Sequence, residues 1–270
     1  MIIGSRPVAA RTSRVRIRAR AFILPLHDPV RVAEDVAMVD QISDGRVELV
    51  IGGGYLQTEF AMFGKSLADR PSLVEEGIGA LRSAWTGLPF VYRGRPARVG
   101  LKPVQYPHPP LSLGGSSAPA ARRAARLQLG FEPTKAHLFQ AYVEECSRLG
   151  VTPGQRARPM MTSKFLHIST NPEASWQQLL PHLLYDANEY HRWLSAESPN
   201  NKPLDEGDLR ASGEYLILTP DECLARAEEL GEDGLLEFHP LVGGLDPKLG
   251  WASLTLFAAE VMPTLDCRSR

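Results

Sequence analysis

The sequence predicts one parallel α/β domain, because short apolar runs alternate along it with longer amphipathic segments. Its 270 residues suit one large domain, and a hydrophobic content of 43% provides a sizeable core. Six strand–helix units can be distinguished, which is two fewer than a closed eight-unit barrel needs. Periodicity alone leaves two alternatives: the fold is not a barrel, or about two units are absent from this chain.

The predicted strands are short and mostly apolar, as buried parallel strands are. They cover residues 15–24, 47–51, 111–113, 129–131, 160–168 and 235–239. One intervening helix is expected to begin with a capping box of Ser72 and Glu75, and another to run from Pro220 with Thr219 as its cap. Residues 172–213 are predicted to be a helical insertion, either a lid over a substrate or additional packing.

Composition excludes several classes of function. The formal net charge of −1 gives no indication of nucleic acid or an anionic membrane as a partner. No apolar run approaches the ~18 residues that a membrane-spanning helix needs. Cys146, Cys223 and Cys267 form no CxxC pair and predict reduced thiols, with no metal site. We therefore expect a cytoplasmic protein.

The N-terminal segment is basic and lacks acidic residues before Asp28. Such a start is typical of a transit peptide. However, arginines recur at every second position from Arg14 to Arg20, with apolar residues between them, and this period favours a strand. Three of these arginines would share one face of the strand, and three are hard to bury. The sequence offers no explanation for them.

An ordered set of short motifs gives the sequence its specificity. In chain order the motifs are His27-Asp28-Pro29, Ala33-Glu34, Asp40, Ser43-Asp44-Gly45-Arg46, Gly52-Gly53-Gly54-Tyr55, Glu59-Phe60, Phe63-Gly64, Arg70, Glu75-Glu76, Leu81-Arg82, Trp85-Thr86-Gly87, Gly94, Pro103, Pro109-Pro110, Gly114-Gly115-Ser116-Ser117, Arg122-Arg123-Ala124-Ala125-Arg126, Pro240-Leu241-Val242-Gly243-Gly244 and Glu260-Val261-Met262-Pro263. Together they resemble the bacterial-luciferase-like family of flavin-dependent monooxygenases. The resemblance is dense over residues 12–131 and thin over 132–234.

The resemblance implies a TIM-type (β/α)₈ barrel that binds a flavin at the carboxyl ends of its strands. It also implies an incomplete barrel of about six units, with residues 1–270 as one domain lacking its N-terminal strands. Thr12-Ser13-Arg14 matches the stretch before the third barrel strand. Two expectations follow: the chain binds flavin without substrate-dependent turnover, and its open edges favour homo-oligomers.

Two glycine-rich loops are the candidate cofactor-binding segments. Gly114, Gly115, Ser116 and Ser117 lie between a strand and a helix, where backbone N–H groups and the helix dipole favour a phosphate. The alternative is that Ser117 only caps the helix. Gly52, Gly53, Gly54 and Tyr55 follow another strand and permit close approach of a phosphate or flat ring. The alternative there is a flexible loop.

Three further site assignments rest on position or on the resemblance. His27 follows the first strand, where barrels place catalytic groups, and is the candidate catalytic residue. The resemblance implies a non-prolyl cis peptide around Ala21-Phe22, and hence contact of both residues with the flavin ring. Glu59 and Arg70 fall in one loop, where they form a salt bridge or shape the site.

The resemblance implies an FMN-dependent oxidoreductase, a monooxygenase that uses reduced flavin and O₂ on a small organic substrate. A flavin reductase or NAD(P)H would supply the electrons. Two alternatives stay open: a 5-deazaflavin coenzyme with hydride transfer, and a non-catalytic flavin-binding or partner subunit. No acid–base pair in the sequence identifies a proton donor.

Overall fold

The structure is a computed structural model. It describes residues 2–154, 165–194, 202–231 and 234–268, and the chain divides into two compact units, Met1–Met160 and Met161–Arg270. Each unit is described by itself.

The first unit alternates helices with parallel strands. Its elements are α1 (Ile2–Arg11), β1 (Ile17–Ile23), α2 (Pro29–Ser43), β2 (Val47–Gly52), α3 (Gln57–Met62), α4 (Arg70–Trp85), β3 (Phe90–Tyr92), β4 (Arg95–Ala97), β5 (Leu111–Gly115), α5 (Ala118–Arg126), β6 (Gly130–Pro133) and α6 (His137–Leu149). Short 3₁₀ turns cover Leu24–Leu26 and Leu67–Asp69. The strands β3 and β4 form a separate antiparallel hairpin.

The main sheet of this unit has the strand order β1-β2-β5-β6, and all its pairings are parallel. Leu49 lies opposite Leu111 and Ile51 opposite Leu113, so β2 and β5 end at the same level of the sheet. One face of the sheet packs into a hydrophobic core with side chains such as Val36, Leu81 and Tyr142 from the helices. All six residues of β2 are buried, as the apolar sequence of this strand predicts.

A charged network explains the arginines of the first strand. Ile17 packs into the core, whereas the alternating Arg16, Arg18 and Arg20 pair with two glutamates of the same unit. Arg16 lies 2.9 Å from Glu48 on β2, and Arg20 lies 3.2 Å from Glu132 on β6. Arg18 contacts both glutamates. These carboxylates are only about one-tenth exposed, at 9% and 10%. The pairs compensate the charge that the sequence left unexplained.

The second unit contains β7 (Phe165–Ile168), α7 (Pro172–Leu194), α8 (Glu206–Ser212), β8 (Tyr215–Leu218), α9 (Pro220–Leu230), α10 (Pro247–Leu256) and α11 (Met262–Arg268). A 3₁₀ turn covers Val242–Gly244, and a π-helical segment, Phe257–Val261, joins α10 to α11. The strands β7 and β8 pair in parallel, and Leu166 on the other edge of β7 forms a parallel bridge with Phe238. Both edges of β7 are thus occupied within this unit.

Apolar side chains cover both faces of the β7–β8 pair. Phe165 packs with Trp176 and Leu183 of α7, whereas Leu166 and Ile168 pack on the opposite side with Cys223 and Val261. The residues predicted to form an insertion are therefore helical over α7 and α8, and α7 belongs to the core of its unit. A lid function for residues 172–213 stays a prediction, and 195–201 lie outside the described residues.

The strand prediction was wrong at two places in the second unit. Residues 235–239 contribute only the bridge at Phe238, where the polar side chains of Glu237 and His239 flank the paired residue. The strand β8 was missed, because four apolar residues fit a strand and a helix turn equally well. Residues 160–164 of another predicted strand lie outside the described residues, and β7 supplies its remainder.

Local predictions near the helix ends had mixed outcomes. Thr219 and Glu222 form a capping box on α9, which confirms the predicted cap. The predicted box at Ser72 is wrong, because α4 already begins at Arg70 and the Ser72 hydroxyl donates to Asp69 O at 2.8 Å. The helix α1 was not predicted at all.

The remaining general predictions concern cysteines and membranes. Cys146 and Cys223 are buried free thiols, and the side chain of Cys267 lies outside the described residues. Of the helices that the structure describes, none combines the length and the apolar character needed to cross a bilayer.

Candidate functional site

The loop after β2 has a geometry that only glycine permits. Gly54 has φ +78°, and a Cβ atom there would lie 2.6 Å from the ring of Phe60. A Cβ atom on Gly52 would lie 2.7 Å from Ile23 of the adjacent strand. Contacts closer than 3.0 Å require displacement of the neighbour, so both glycines are needed for this backbone path. The loop is therefore specifically shaped, which argues against the flexible-loop alternative.

Arg70 is fixed beside this loop. It is the first residue of α4, and its Nη1 donates to the carbonyl oxygen of Gly54 at 3.0 Å. Its Cδ lies 4.0 Å from the position that a Cβ atom on Gly53 would occupy. The side chain remains exposed, so a cation is held at the mouth of the glycine loop and stays accessible to a ligand. Among the described side chains, Glu59 forms no ion pair with Arg70, so of the two alternatives for this loop pair the salt bridge is not formed.

The loop after β5 combines a helix cap with unused hydrogen-bond donors. The Ser117 Oγ accepts from Ala120 N at 3.4 Å, so the capping alternative is part of the geometry. A Cβ atom on Gly115 would lie 2.6 Å from Ala120, which explains the glycine by close packing of α5. Ser116 and Ser117 are exposed, and their backbone N–H groups find no acceptor among the residues described. These N–H groups are available to an anion.

The two loops leave adjacent strands at the same level. Because β2 and β5 are neighbours in register, their carboxyl ends lie one strand spacing apart, about 4.8 Å. The N–H groups of Ser116 and Ser117 come from one loop, and the guanidinium of Arg70 is tethered to the other. We call these three residues and the two loops the anion cradle. Its donors suit an oxyanion such as a phosphate.

His27 follows β1, after the turn Leu24–Leu26. Its ring stacks on Phe22 with ring centres 4.5 Å apart. Partial burial and, secondarily, the positive charge of Lys65 lower the pKa of His27 below its usual 6.5, while Glu59 acts in the opposite direction. Lys65 is itself held by the carbonyl oxygen of Pro25. His27 is consequently neutral at pH 7 and can accept a proton.

The segment before His27 contains the expected backbone feature. The peptide bond Arg20–Ala21 is cis, one bond before the predicted position. Ala21 is exposed, whereas the Phe22 side chain is buried in the core. If Phe22 contacts a cofactor, it does so through its backbone.

The sequence indicated both glycine loops and named Arg70 as a residue that could shape the site, but it revealed neither Lys65 nor the contact of Arg70 with Gly54. Arg70 and Lys65 act on groups that are 16 and 40 residues away in the sequence, namely Gly54 and Pro25. Nothing in the local pattern signals such contacts.

A model of the family described as luciferase-like monooxygenases matches residues 7–237, which is most of the chain. The chain belongs to this family. Relatives above 30% identity match less than half of it. The FMNH₂-dependent dimethylsulfone monooxygenase of Pseudomonas putida is 32% identical over 121 residues, covering 42% of this chain and 33% of the relative. The protein y4vJ of Sinorhizobium fredii is 31% identical over 123 residues, or 44% and 35% of the two chains. The matched part thus spans about a third of these relatives.

Solved structures similar to this luciferase-like protein establish the fold. The monooxygenase RslO1 from Streptomyces bottropensis has a TM-score of 0.77 at 22% identity, over 98% of this chain and 82% of that one. The oxygenating component of 3,6-diketocamphane monooxygenase from P. putida, in complex with FMN, has a TM-score of 0.71 at 18% identity, over 97% and 82%. The coenzyme F420-dependent tetrahydromethanopterin reductase from Methanopyrus kandleri has a TM-score of 0.64 at 15% identity, over 97% of this chain and 87% of that one.

These similarities confirm the predicted fold class. The chain has the α/β architecture of luciferase-like TIM-type barrels, with six strands in two parallel sheets among its described residues and no closed barrel formed by them. The family is that of luciferase-like monooxygenases, and the similar structures include one in complex with FMN and one of a coenzyme F420-dependent reductase.

Proposed function

We propose that this luciferase-like protein binds FMN, with the phosphate in the anion cradle, and takes part in monooxygenation of a small organic substrate. The cradle is the observation that carries the proposal. Two accessible N–H donors and one tethered arginine belong to the loops that follow two adjacent parallel strands. The FMN-dependent monooxygenases of the same family support the choice of cofactor.

The charges of the cradle match a phosphate monoester. Its second ionisation lies near pH 6, so it carries nearly two negative charges at pH 7. Arg70 supplies one full positive charge, and the nine-residue helix α5 directs its N-terminus at the same loop. A neutral ligand would gain nothing from either feature. Riboflavin, which lacks the phosphate, is therefore the natural comparison for FMN.

The remaining predicted residues suit the flat part of the cofactor. At Gly53 no atom lies closer than 4.0 Å to the position of a Cβ atom, so a ring can approach the backbone there, and Tyr55 nearby is 44% exposed. When bound and reduced, a flavin supplies the electrons that activate O₂. The protein's contribution is to bind and orient the cofactor and to exclude water.

His27 is the residue that we propose to handle a proton. It is neutral at pH 7 because burial and Lys65 lower its pKa, so one ring nitrogen can accept a proton without prior deprotonation. Its stacking on Phe22 limits how the ring can rotate. A flavin reductase or NAD(P)H would deliver the electrons, as the FMNH₂ dependence of the dimethylsulfone monooxygenases suggests.

A deazaflavin-dependent hydride transfer is the second candidate. It is favoured by the shared fold with F420-dependent enzymes, including a secondary alcohol dehydrogenase with a TM-score of 0.62 at 18% identity. Both cofactors carry a phosphate and a tricyclic ring, so the anion cradle serves either. Oxygen distinguishes the two: transfer of an oxygen atom from isotope-labelled O₂ to the substrate with reduced FMN supports monooxygenation, and substrate oxidation with F420 under nitrogen supports hydride transfer.

Binding affinities test the role of the cradle. We expect Arg70→Gln to weaken FMN about tenfold or more, because a hydrogen bond to a charged group is lost, and to leave riboflavin unchanged. Replacing Ser116 and Ser117 together by alanine should weaken FMN selectively, to a smaller extent, because their backbone donors remain.

Two matched controls lie on exposed helix surfaces, Arg31→Gln and Ser147→Ala. Neither should change the affinity for FMN or riboflavin. Equal weakening of both ligands by the cradle variants would show that these residues do not hold the phosphate.

A further inference from the structure

A pocket in the second unit contains a histidine that the proposed flavin chemistry does not use. The pocket lies between the end of β7, the first turns of α7 and the helix α10, and its volume is about 160 Å³. His167 and Ser253 lie in it and are 7% and 3% exposed, whereas Thr170, Gln178 and Ala252 are exposed at its mouth. It is therefore an open pocket with a polar base, and all its lining residues belong to the second unit.

The imidazole of His167 lacks a hydrogen-bond partner within the described part of the chain. The ring stacks on Phe165, with ring centres 6.3 Å apart, and His167 forms part of the pocket wall. The ring nitrogens are not among the fully buried polar atoms that lack a partner, so they reach the surface of the pocket. A ligand in the pocket can therefore bond to the ring.

Two serine hydroxyl groups in the pocket can donate hydrogen bonds to a ligand. Ser169 Oγ already accepts from Asn171 N at 3.0 Å and from Ser175 Oγ at 2.7 Å, so both of its lone pairs are used. Ser253 Oγ accepts from Ile168 N at 2.7 Å. Together with one N–H of His167, these groups present three donors. They fit a ligand that offers several acceptor oxygens at one end.

The charges around the pocket restrict the ligand further. No lysine, arginine, aspartate or glutamate is among the lining residues. On β8, the residue opposite His167 is the apolar Ile217. The charged residues of the neighbouring elements have partners elsewhere: Glu173 of α7 pairs with Arg210, and Glu237 pairs with His239. Lys248 is on α10 but not in the wall. His167 is thus the group that can balance an anion there, aided by the N-terminal end of the 23-residue helix α7.

The apolar part of the wall and the volume set the ligand size. Leu179, Leu249 and Leu256 line the pocket beside the polar groups. A dry cavity of about 150 Å³ accommodates benzene, a ligand of six heavy atoms. Butyrate has the same number of heavy atoms and divides into two acceptor oxygens and a short apolar tail.

We propose that this pocket is a binding site for a short-chain monocarboxylate, with the carboxylate at His167, Ser169 and Ser253 and the alkyl tail against the leucines. Binding is coupled to protonation. Burial lowers the pKa of His167 below 6.5, so the free protein holds it neutral at pH 7. A bound carboxylate raises that pKa, and His167 then takes up a proton as the ligand binds.

The test uses the full chain and butyrate as the probe, with titration calorimetry in two buffers of different ionisation enthalpy. We expect saturable binding, uptake of a proton at pH 7, and tighter binding at pH 6 than at pH 8. His167→Gln retains a donor but cannot titrate, so it should weaken butyrate about tenfold or more and abolish the proton uptake. His137→Gln, on the exposed surface of α6, is the control and should change neither.

Ala252→Phe provides a second, independent variant, because a large side chain at the mouth obstructs the pocket while His167 stays in place. It should abolish binding and leave the NMR titration of His167 as in the free parent protein. The circular dichroism of each variant shows that it is folded. Butyrate binding that does not saturate, or that either folded variant leaves at parental strength, overturns the proposal, as does binding without proton uptake.

Discussion

Replacing Glu132 by glutamine should destabilise the protein far more than replacing Glu75 in the same way. Both carboxylates pair with two arginines. Glu132 contacts Arg18 and Arg20, whereas Glu75 lies 2.7 Å from Arg123 and 3.4 Å from Arg126. The two glutamates differ in exposure, at 10% and 42%. This difference decides the magnitude of the effect.

The expected cost follows from what remains after the change. Removing one partner of a buried ion pair costs roughly 3–5 kcal/mol, because the other charge is left without compensation. Arg18 and Arg20 are 21% and 35% exposed, so hydration of their charges offsets part of this cost. Arg18 also keeps its contact with Glu48. We therefore expect a loss of about 2–3 kcal/mol for Glu132→Gln. Glu75→Gln should cost less than about 1 kcal/mol, as surface pairs do.

Urea denaturation measures the free energy of unfolding of both variants. The comparison requires that the slope of this free energy against urea concentration is the same in each variant. Salt adds a second criterion, because added salt screens the exposed pair of Glu75 more than the pair of Glu132. Equal losses for the two variants, or a loss below about 1 kcal/mol for Glu132→Gln, would show that the arginine–glutamate network does not explain the charged strand.

Three further outcomes are expected from the local geometry. Lys65→Met should raise the pKa of His27 toward 6.5 without restoring it fully, because burial is the larger cause of its depression; an unchanged NMR titration would refute the assignment. Gly54→Ala should lower the free energy of unfolding, measured in urea, by about 1–3 kcal/mol and should weaken FMN binding, because φ is +78° and a Cβ atom would meet Phe60. The control Gly79→Ala in α4 has open space around its Cβ atom and should stabilise the protein slightly. Tyr142→Phe should cost about 2 kcal/mol, because its buried hydroxyl bonds to Leu129 O and Gly154 N at 2.8 and 2.6 Å; a loss below 0.5 kcal/mol would contradict this role.

The parallel strands of the first unit could be predicted because their signal is local. Apolar runs such as Val47–Gly52 are short, fully buried and followed by glycines, so periodicity and turn residues indicate the same element. The strand β8 and the helix α1 carry weaker patterns. A four-residue apolar run has no period to measure, and α1 contains a proline.

The backbone of the site was more predictable than the contacts of its side chains. Glycines and serines after strands mark where a phosphate can approach, and register then brings the two loops together. Arg70 was named from the sequence, but the contacts of the charged residues were not predictable, because their partners are distant in sequence. Arg18 of the first strand is an example from outside the site: its partners Glu48 and Glu132 are 30 and 114 residues away in the sequence, and no pattern within one strand reveals them.

Phosphorus NMR of FMN bound to the full chain tests the central claim most directly. Arg70 and the N–H groups of Ser116 and Ser117 favour the dianion, so the second phosphate ionisation of bound FMN should shift to lower pH than in free FMN. Arg70→Gln should reverse most of that shift, and Arg31→Gln none of it. A bound phosphate that titrates as in free FMN, or a shift that survives Arg70→Gln unchanged, would contradict the placement of the phosphate in the anion cradle.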